Sequence, residues 1–301
     1  MTHSKPALTI SQSLIKMFLW KGNEHENVCY RKVYAQYVAG LRTEPTEANI
    51  KGLCFEDISC GTNNNKYELP RNNRTKKLTL SSERIKIQAN LFKEWIRERG
   101  GIVFEDNSQV TIYKRWEKDP KVILSGKLDI FPVILVDKKT GEVSINIIDL
   151  KYTGDIHYEF GKFAWGKIEY MDHLQAIMYL YLVMNIDYEL NDALNPGNKL
   201  REFTEHPNMR SLLDSGQCKF KYYVVDDKPN YAYGVFNYIL KPNDFSFLHE
   251  CIRKVVNTLR EANEKGWPAI PSSEQCLGDK RMSIYECPFS NCSFRKEEKE
   301  I

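Results

Sequence analysis

The segment Ser144-Ile145-Asn146-Ile147-Ile148-Asp149-Leu150-Lys151 is apolar until its end, where an acid and a base stand two residues apart. A run so rich in β-branched residues reads as a strand inside a sheet, and the two-residue period of a strand sends Asp149 and Lys151 to one face. A carboxylate in such a run loses its hydration, and pairing with a cation or a metal offsets that cost. Any fold for this chain must therefore build a sheet interior around this strand and bring a counter-charge to its end. An ordinary Asp149–Lys151 salt bridge is one solution, and a bound metal is another.

The preceding segment, Ser125-Gly126-Lys127-Leu128-Asp129-Ile130-Phe131, again sets one carboxylate within an apolar strand. The turn Asp137-Lys138-Lys139-Thr140-Gly141-Glu142 folds it back as a hairpin and brings Asp129 beside Asp149. Two convergent carboxylates suit Mg2+ or Mn2+, which can generate a hydroxide and shield charge on phosphorus during phosphodiester hydrolysis. A neighbouring lysine can position the water or stabilise the charged transition state.

The rest of the chain organises around this pair. Ser11–Trp20, Cys29–Val38, Glu47–Ser59 and Ser81–Arg99 carry helical signals, the last capped by Ser81 or Ser82 and stopped by Gly100-Gly101. Three strands follow, within 102–116, 122–136 and 143–151, and a loop rich in Gly and aromatics (152–166) leads to a helix over 167–185. A strand pair (219–225 and 232–240) and a helix (243–264) complete the pattern, while 187–216 is polar, has few periodic features and reads as an insertion. This order predicts an α+β fold with a mixed central sheet flanked by helices. We expect a single domain over 1–301: a mainly helical part (1–100), a core (101–265) and a cysteine-bearing tail (266–301).

Taken together, Gly126-x-x-Asp129 followed by Ile148-Asp149-Leu150-Lys151 resembles the PD-(D/E)XK nucleases. The resemblance implies a restriction-endonuclease-like core and a DNA nuclease with Asp129, Asp149 and Lys151 at its catalytic centre. Gln175-Ala176-Ile177-Met178-Tyr179 is similar to the Gln-x-x-x-Tyr motif of the RecB-like branch, in which it contacts DNA, and Gln175 and Tyr179 share a helix face. The family also carries an acid on a helix before the strands, a place that Glu56 in Lys51-Gly52-Leu53-Cys54-Phe55-Glu56 fits. The resemblance thus implies Glu56, Asp129, Asp149 and the Leu150 carbonyl as the Mg2+ or Mn2+ shell. It points to an exonuclease of recombination or repair type; the other class of function for these residues is a non-catalytic nucleic-acid-binding or assembly subunit.

Eight cysteines in a chain that reads as cytoplasmic are not expected to form a disulfide framework. Cys29-Tyr30-Arg31-Lys32 is similar to the opening of the iron-sulfur subset of RecB-like nucleases, AddB-like proteins and CRISPR-adaptation nucleases among them, which join one N-terminal and three C-terminal cysteines in a [4Fe-4S] cluster. That resemblance implies Cys29, Cys276, Cys287 and Cys292 as ligands, although the tail lacks the usual close Cys-x-x-Cys. A zinc site on the same thiols and no metal at all stay open. Cys54, Cys60, Cys218 and Cys251 read as core residues.

Net charge is only +3, so attraction to DNA has to come from local clusters. Arg71, Arg74, Lys76 and Lys77 lie in a polar segment (61–77) that reads as a surface loop, and with Arg31, Lys32 and Lys127 they are candidates for phosphate contacts. Tyr152, Phe160, Phe163 and Trp165 are candidates for stacking on bases, or for a lid packed on the core. No apolar run approaches a membrane span. No nucleotide-binding glycine loop is present, so unwinding would require a helicase or recombination partner.

Overall fold

The computed structural model describes residues 8–20, 23–24, 28–41, 45–62, 68–72, 74–103, 107–156 and 173–267. In chain order the elements are β1 (Leu8–Ser11), α1 (Gln12–Phe18), β2 (Leu19–Trp20), β3 (Asn23–Glu24), α2 (Tyr30–Val33) with a π-turn (Tyr34–Val38), α3 (Glu47–Cys60) and α4 (Leu80–Arg97). Strands β4 (Ser108–Trp116), β5 (Asp119–Val136) and β6 (Val143–Thr153) follow, then helices α5 (Leu174–Val183), α6 (Tyr188–Leu194), α7 (Leu200–Thr204) and α8 (Pro207–Asp214). Strands β7 (Cys218–Asp226) and β8 (Tyr233–Tyr238) and helix α9 (Asp244–Glu264) close the series. The chain divides into two compact units, Met1–Thr9 with Pro45–Phe245 and Ile10–Glu44 with Ser246–Ile301.

The larger unit is built on the six-stranded sheet, ordered β1-β5-β6-β7-β8 with β4 also on β5. The pairs β4–β5, β5–β6 and β7–β8 are antiparallel, and β6–β7 is parallel. The expected α+β fold with a mixed central sheet is therefore the observed one. The β5–β6 hairpin closes as expected: Asp137 Oδ1 accepts the Lys139 and Thr140 N–H groups at 2.8 and 3.0 Å. Gly141 takes the left-handed conformation, φ +73°, that a Cβ would strain. A parallel pair needs a crossover, and α5 to α8 supply it between β6 and β7.

One face of the sheet packs on α3 and α4 through a core that includes Phe55, Ile85, Phe92, Ile148, Leu150 and Tyr223. Helix α4 buries Ile85, Ala89, Phe92, Trp95 and Ile96, a stripe at helical spacing. Its cap is Thr79, whose side chain accepts the Ser82 N–H at 3.2 Å, rather than Ser81 or Ser82. Ser82 instead donates its hydroxyl to the Pro70 carbonyl at 2.6 Å. Helix α5 is buried at every position except Gln175, which is only half-buried.

Several expectations shift. The first strand of the meander begins at Ser108, not 102, and the helix expected over Ser11–Trp20 ends at Phe18. The polar stretch 187–216 holds three short helices, too brief to display a period, tied down by buried Leu190, Asn191, Leu200 and Thr204. Within the expected loop 61–77, Arg71 forms a bridge to Leu78. In the smaller unit, α1 buries Leu14, Ile15 and Phe18, and Phe18 packs on Tyr30. Leu248, Cys251, Ile252, Val255, Val256 and Leu259 form the buried stripe of α9, and Tyr34 packs on Trp267. Among the described residues no helix is long and apolar enough to cross a membrane.

Candidate active site

Asp149 lies where strand pairing forces it inward. It is 1% exposed and stands opposite Tyr222, at the middle of β7, in the parallel β6–β7 ladder. Two groups from different directions offset its burial: Lys151 Nζ lies 2.5 Å from Oδ2, and Gln175 Nε2 donates to Oδ1 at 2.6 Å. The first follows from the period of β6, and the second from α5, whose one incompletely buried side chain is aimed at the carboxylate. The bond between the Gln175 amide and the buried Asp149 carboxylate fixes both groups.

Asp129 reaches the same place from β5. The β5–β6 ladder runs to Ile130↔Ile148, and beyond it Asp129 Oδ2 accepts the Leu150 N–H at 2.7 Å. Its other oxygen receives a long bond of 3.4 Å from Gln109 Nε2. Burial and then the charges of Asp149 and Glu56 push the Asp129 carboxyl well above the usual range, against the pull of Lys151 and the Leu150 N–H.

Glu56 is half-buried near the end of α3. Burial raises its carboxyl to about 7, with Lys151 and Lys127 opposing and Asp149 and Asp57 adding to the rise. Burial works against the Lys151 ammonium, yet Asp149, Asp129 and Glu56 outweigh it and hold that group above its ordinary value. Glu56, Asp129, Asp149 and Lys151 thus form one electrostatic group. The Tyr179 hydroxyl belongs to its margin: burial and the Asp149 charge raise it, while a hydrogen bond with Gln175 opposes them. Gly126 lets Tyr179 approach, since a Cβ there would lie 2.8 Å from Tyr179 Cε1 and 2.7 Å from Leu182 Cδ1.

The carboxylates and the carbonyl in this group offer hard oxygens, the type that Mg2+ or Mn2+ prefers, and burial, with neighbouring carboxylates adding to it, raises the Asp129 and Glu56 carboxyls. Among the described residues, however, no three His, Cys, Asp or Glu side chains meet closely enough to cage a metal ion. The oxygens of Asp129 and Asp149 are engaged by Lys151, Gln175, Gln109 and the Leu150 N–H. The expected shell of Glu56, Asp129, Asp149 and the Leu150 carbonyl is therefore not assembled as a three-carboxylate cage among the described residues.

Two members of the site escaped the sequence reading. Gln109 sits at φ +55°, a left-handed conformation unusual outside glycine, and sequence gives no sign of this. Tyr222, buried opposite Asp149, has its hydroxyl pushed up by burial and then by that carboxylate. Alternation along β7 could have placed it on the Asp149 face, but the parallel register was needed to know its neighbour. Cys29, at the start of α2, is a partly buried free thiol, and the other expected cluster ligands, Cys276, Cys287 and Cys292, lie outside the described residues. Phe160, Phe163 and Trp165 lie outside them too. Cys54, Cys60 and Cys251 are core residues as expected, whereas Cys218 is only partly buried.

No protein-family model and no curated protein sequence matches this chain. Among solved structures, one from Eubacterium rectale described as "Putative exonuclease" is similar in fold, with a TM-score of 0.50 at 15% identity. The similarity covers 97% of this chain and 90% of that one, and at this identity it is a likeness of fold alone.

Proposed function

We propose that this protein is a metal-dependent DNA nuclease of the PD-(D/E)XK superfamily, in its RecB-like branch, acting as an exonuclease of recombination or repair type. One observation carries the reading: buried Asp149 is held between Lys151 Nζ and Gln175 Nε2, beside a second carboxylate on the neighbouring strand. A plain structural salt bridge needs neither Asp129 nor Glu56 in the same field. The fold shared with a protein described as an exonuclease agrees with it.

Bound Mg2+ or Mn2+ would supply a Lewis acid for the phosphoryl oxygens and a water of lowered pKa. The chain's own residues do the rest. Gln175 fixes the rotamer of Asp149, and the Leu150 N–H fixes that of Asp129, so the carboxylates meet the substrate preorganised. Lys151, paired with Asp149, positions the attacking water or sets a positive charge beside the developing phosphorane. Gln175 borders the DNA strand from α5, and Tyr179, buried beside it, supports Gln175 through their hydrogen bond. The same family reading assigns Cys29 and, from the tail, Cys276, Cys287 and Cys292 to a [4Fe-4S] cluster; a colourless, zinc-loaded protein from anaerobic purification contradicts that part.

The test is digestion of end-labelled linear, circular and single-stranded DNA with Mg2+, with Mn2+ and with chelator. Metal-dependent loss of linear DNA with circular DNA intact supports an exonuclease. Binding without cleavage under every metal favours a non-catalytic DNA-binding subunit instead.

A further inference from the structure

Many of the basic side chains on the described surface are tied to acids: Lys51 and Arg84 to Asp227, Arg115 to Asp187, Lys138 to Glu98, Arg201 to Asp192 and Lys219 to Glu142. One short stretch departs from this. Arg71, Arg74, Lys76 and Lys77 are exposed, the segment from Arg71 to Lys77 contains no acid, and none of the four makes an ion pair among the described residues. In a chain of net charge +3, such a local surplus is retained against its own repulsion.

The cations sit on a built turn. Arg71 bridges to Leu78, the Asn72 N–H donates to the Lys77 carbonyl at 2.9 Å, and the Lys76 N–H donates back to the Asn72 carbonyl at 2.9 Å. Asn72 Oδ1 accepts the N–H groups of Arg74 and Thr75 at 2.9 and 3.0 Å, and Arg71 Nη1 donates to the Lys76 carbonyl at 3.0 Å. Lys76 takes φ +58° within this turn, a conformation that a lysine adopts at some cost. The N–H groups of Asn72, Arg74, Thr75, Lys76 and Lys77 are satisfied from within, and the side chains of Arg74, Lys76 and Lys77 are exposed.

The turn is also fixed to the part of the sheet that follows Lys151 on β6. The Pro70 carbonyl accepts from the Thr79 N–H at 3.1 Å and from the Ser82 hydroxyl at 2.6 Å, locking the turn to the start of α4. In that first turn, Ser81 donates to Asp227 at 2.5 Å and lies 3.5 Å from the hydroxyl of Tyr152, the residue after Lys151.

We propose that the Arg71–Leu78 hairpin is a clamp for the phosphate backbone of the DNA substrate, away from the scissile bond. The proposal rests on the nuclease reading for its partner and adds a site to it. Flexible cations on a turn whose Asn72 side-chain oxygen is taken up by the Arg74 and Thr75 N–H groups suit phosphates, contacts that carry no base readout, so the contact is independent of sequence. It strengthens binding and leaves the chemical step alone.

The experiment uses the full chain with Asp149→Asn, which keeps DNA intact, and measures anisotropy of labelled duplex and single-stranded oligonucleotides from about 50 to 200 mM salt. Adding Arg74→Gln, Lys76→Asn and Lys77→Gln should weaken duplex binding at least about tenfold at low salt and lower the log–log salt slope by about two to three. The charge-keeping pair Arg74→Lys and Lys77→Arg should bind like the parent, as should Arg201→Gln with Arg210→Gln. If the triple variant melts early, Lys77→Gln alone decides, with a slope lower by about one. An unchanged slope overturns the proposal. So does binding to phosphatidylserine vesicles that is lost with the three charges while DNA binding is kept. Hairpin-dependent DNA binding by a wild-type chain that cuts nothing refutes the nuclease reading alone; cleavage with an unchanged slope refutes the clamp alone.

Discussion

Asp129 Oδ2 accepts the backbone N–H of Leu150 at 2.7 Å, so the carboxylate of one strand is held by the residue that separates the acid from the lysine on the next. The backbone thereby sets the spacing of Asp129 against Asp149 and Lys151. Side-chain freedom remains only at the second oxygen of Asp129, where Gln109 makes its 3.4 Å contact.

Gln109 is accordingly a positioning residue. Gln109→Asn keeps an amide that tolerates the left-handed backbone but shortens its reach, and it should lower cleavage by about tenfold, the lower end for a group that orients a metal ligand. The melting temperature should stay at the wild-type value, and half-maximal activity should require more Mg2+. Full activity with an unshifted Mg2+ titration would remove Gln109 from the site.

Gly126 tests the approach of α5 to β5. Gly126→Ala places a methyl group 2.7 Å from Leu182 Cδ1 and 2.8 Å from Tyr179 Cε1, both on a helix buried on all sides. Overpacking of this kind costs about 1 to 3 kcal/mol, visible as a lower urea midpoint with an unchanged slope. Stability equal to wild type would show that α5 yields at this contact.

Much of this arrangement is legible in the sequence, for a physical reason. The two-residue period of a strand ties Asp149 to Lys151, and the four-residue recurrence of a helix ties Gln175 to Tyr179. Glu56 comes from the family pattern. Gln109 is invisible because its role depends on a positive φ on an edge strand, and Tyr222 because its place depends on a parallel register across a crossover. Residues 187–216 hide their helices because a helix of five to eight residues, held by Leu190 and Leu200, shows no period. The strands of two residues, β2 and β3, are illegible on the same ground.

Glu56 makes stability depend on pH when metal is chelated. Its carboxyl lies at about 7 in the folded protein against an ordinary 4.5, chiefly through burial. Between those values the folded chain keeps a proton that the unfolded chain has released. The stability linked to this group is therefore complete below about pH 4.5 and is lost as pH rises through about 7. Melting curves in chelator should show the wild type losing stability relative to Glu56→Gln across that window. A constant difference between the two proteins would contradict the raised carboxyl of Glu56.

The central claim is that Asp149, held by Lys151 and Gln175, is part of a phosphodiester-cleaving centre. The most direct measurement is the cleavage rate of linear duplex DNA with Mg2+ or Mn2+ for wild type, Asp149→Asn and Gln175→Ala, each checked for an intact fold by circular dichroism. The account predicts metal-dependent cleavage by wild type, a loss of at least about 10²-fold in Asp149→Asn and a smaller loss in Gln175→Ala. Asp149→Asn protein that cleaves at the wild-type rate would contradict it.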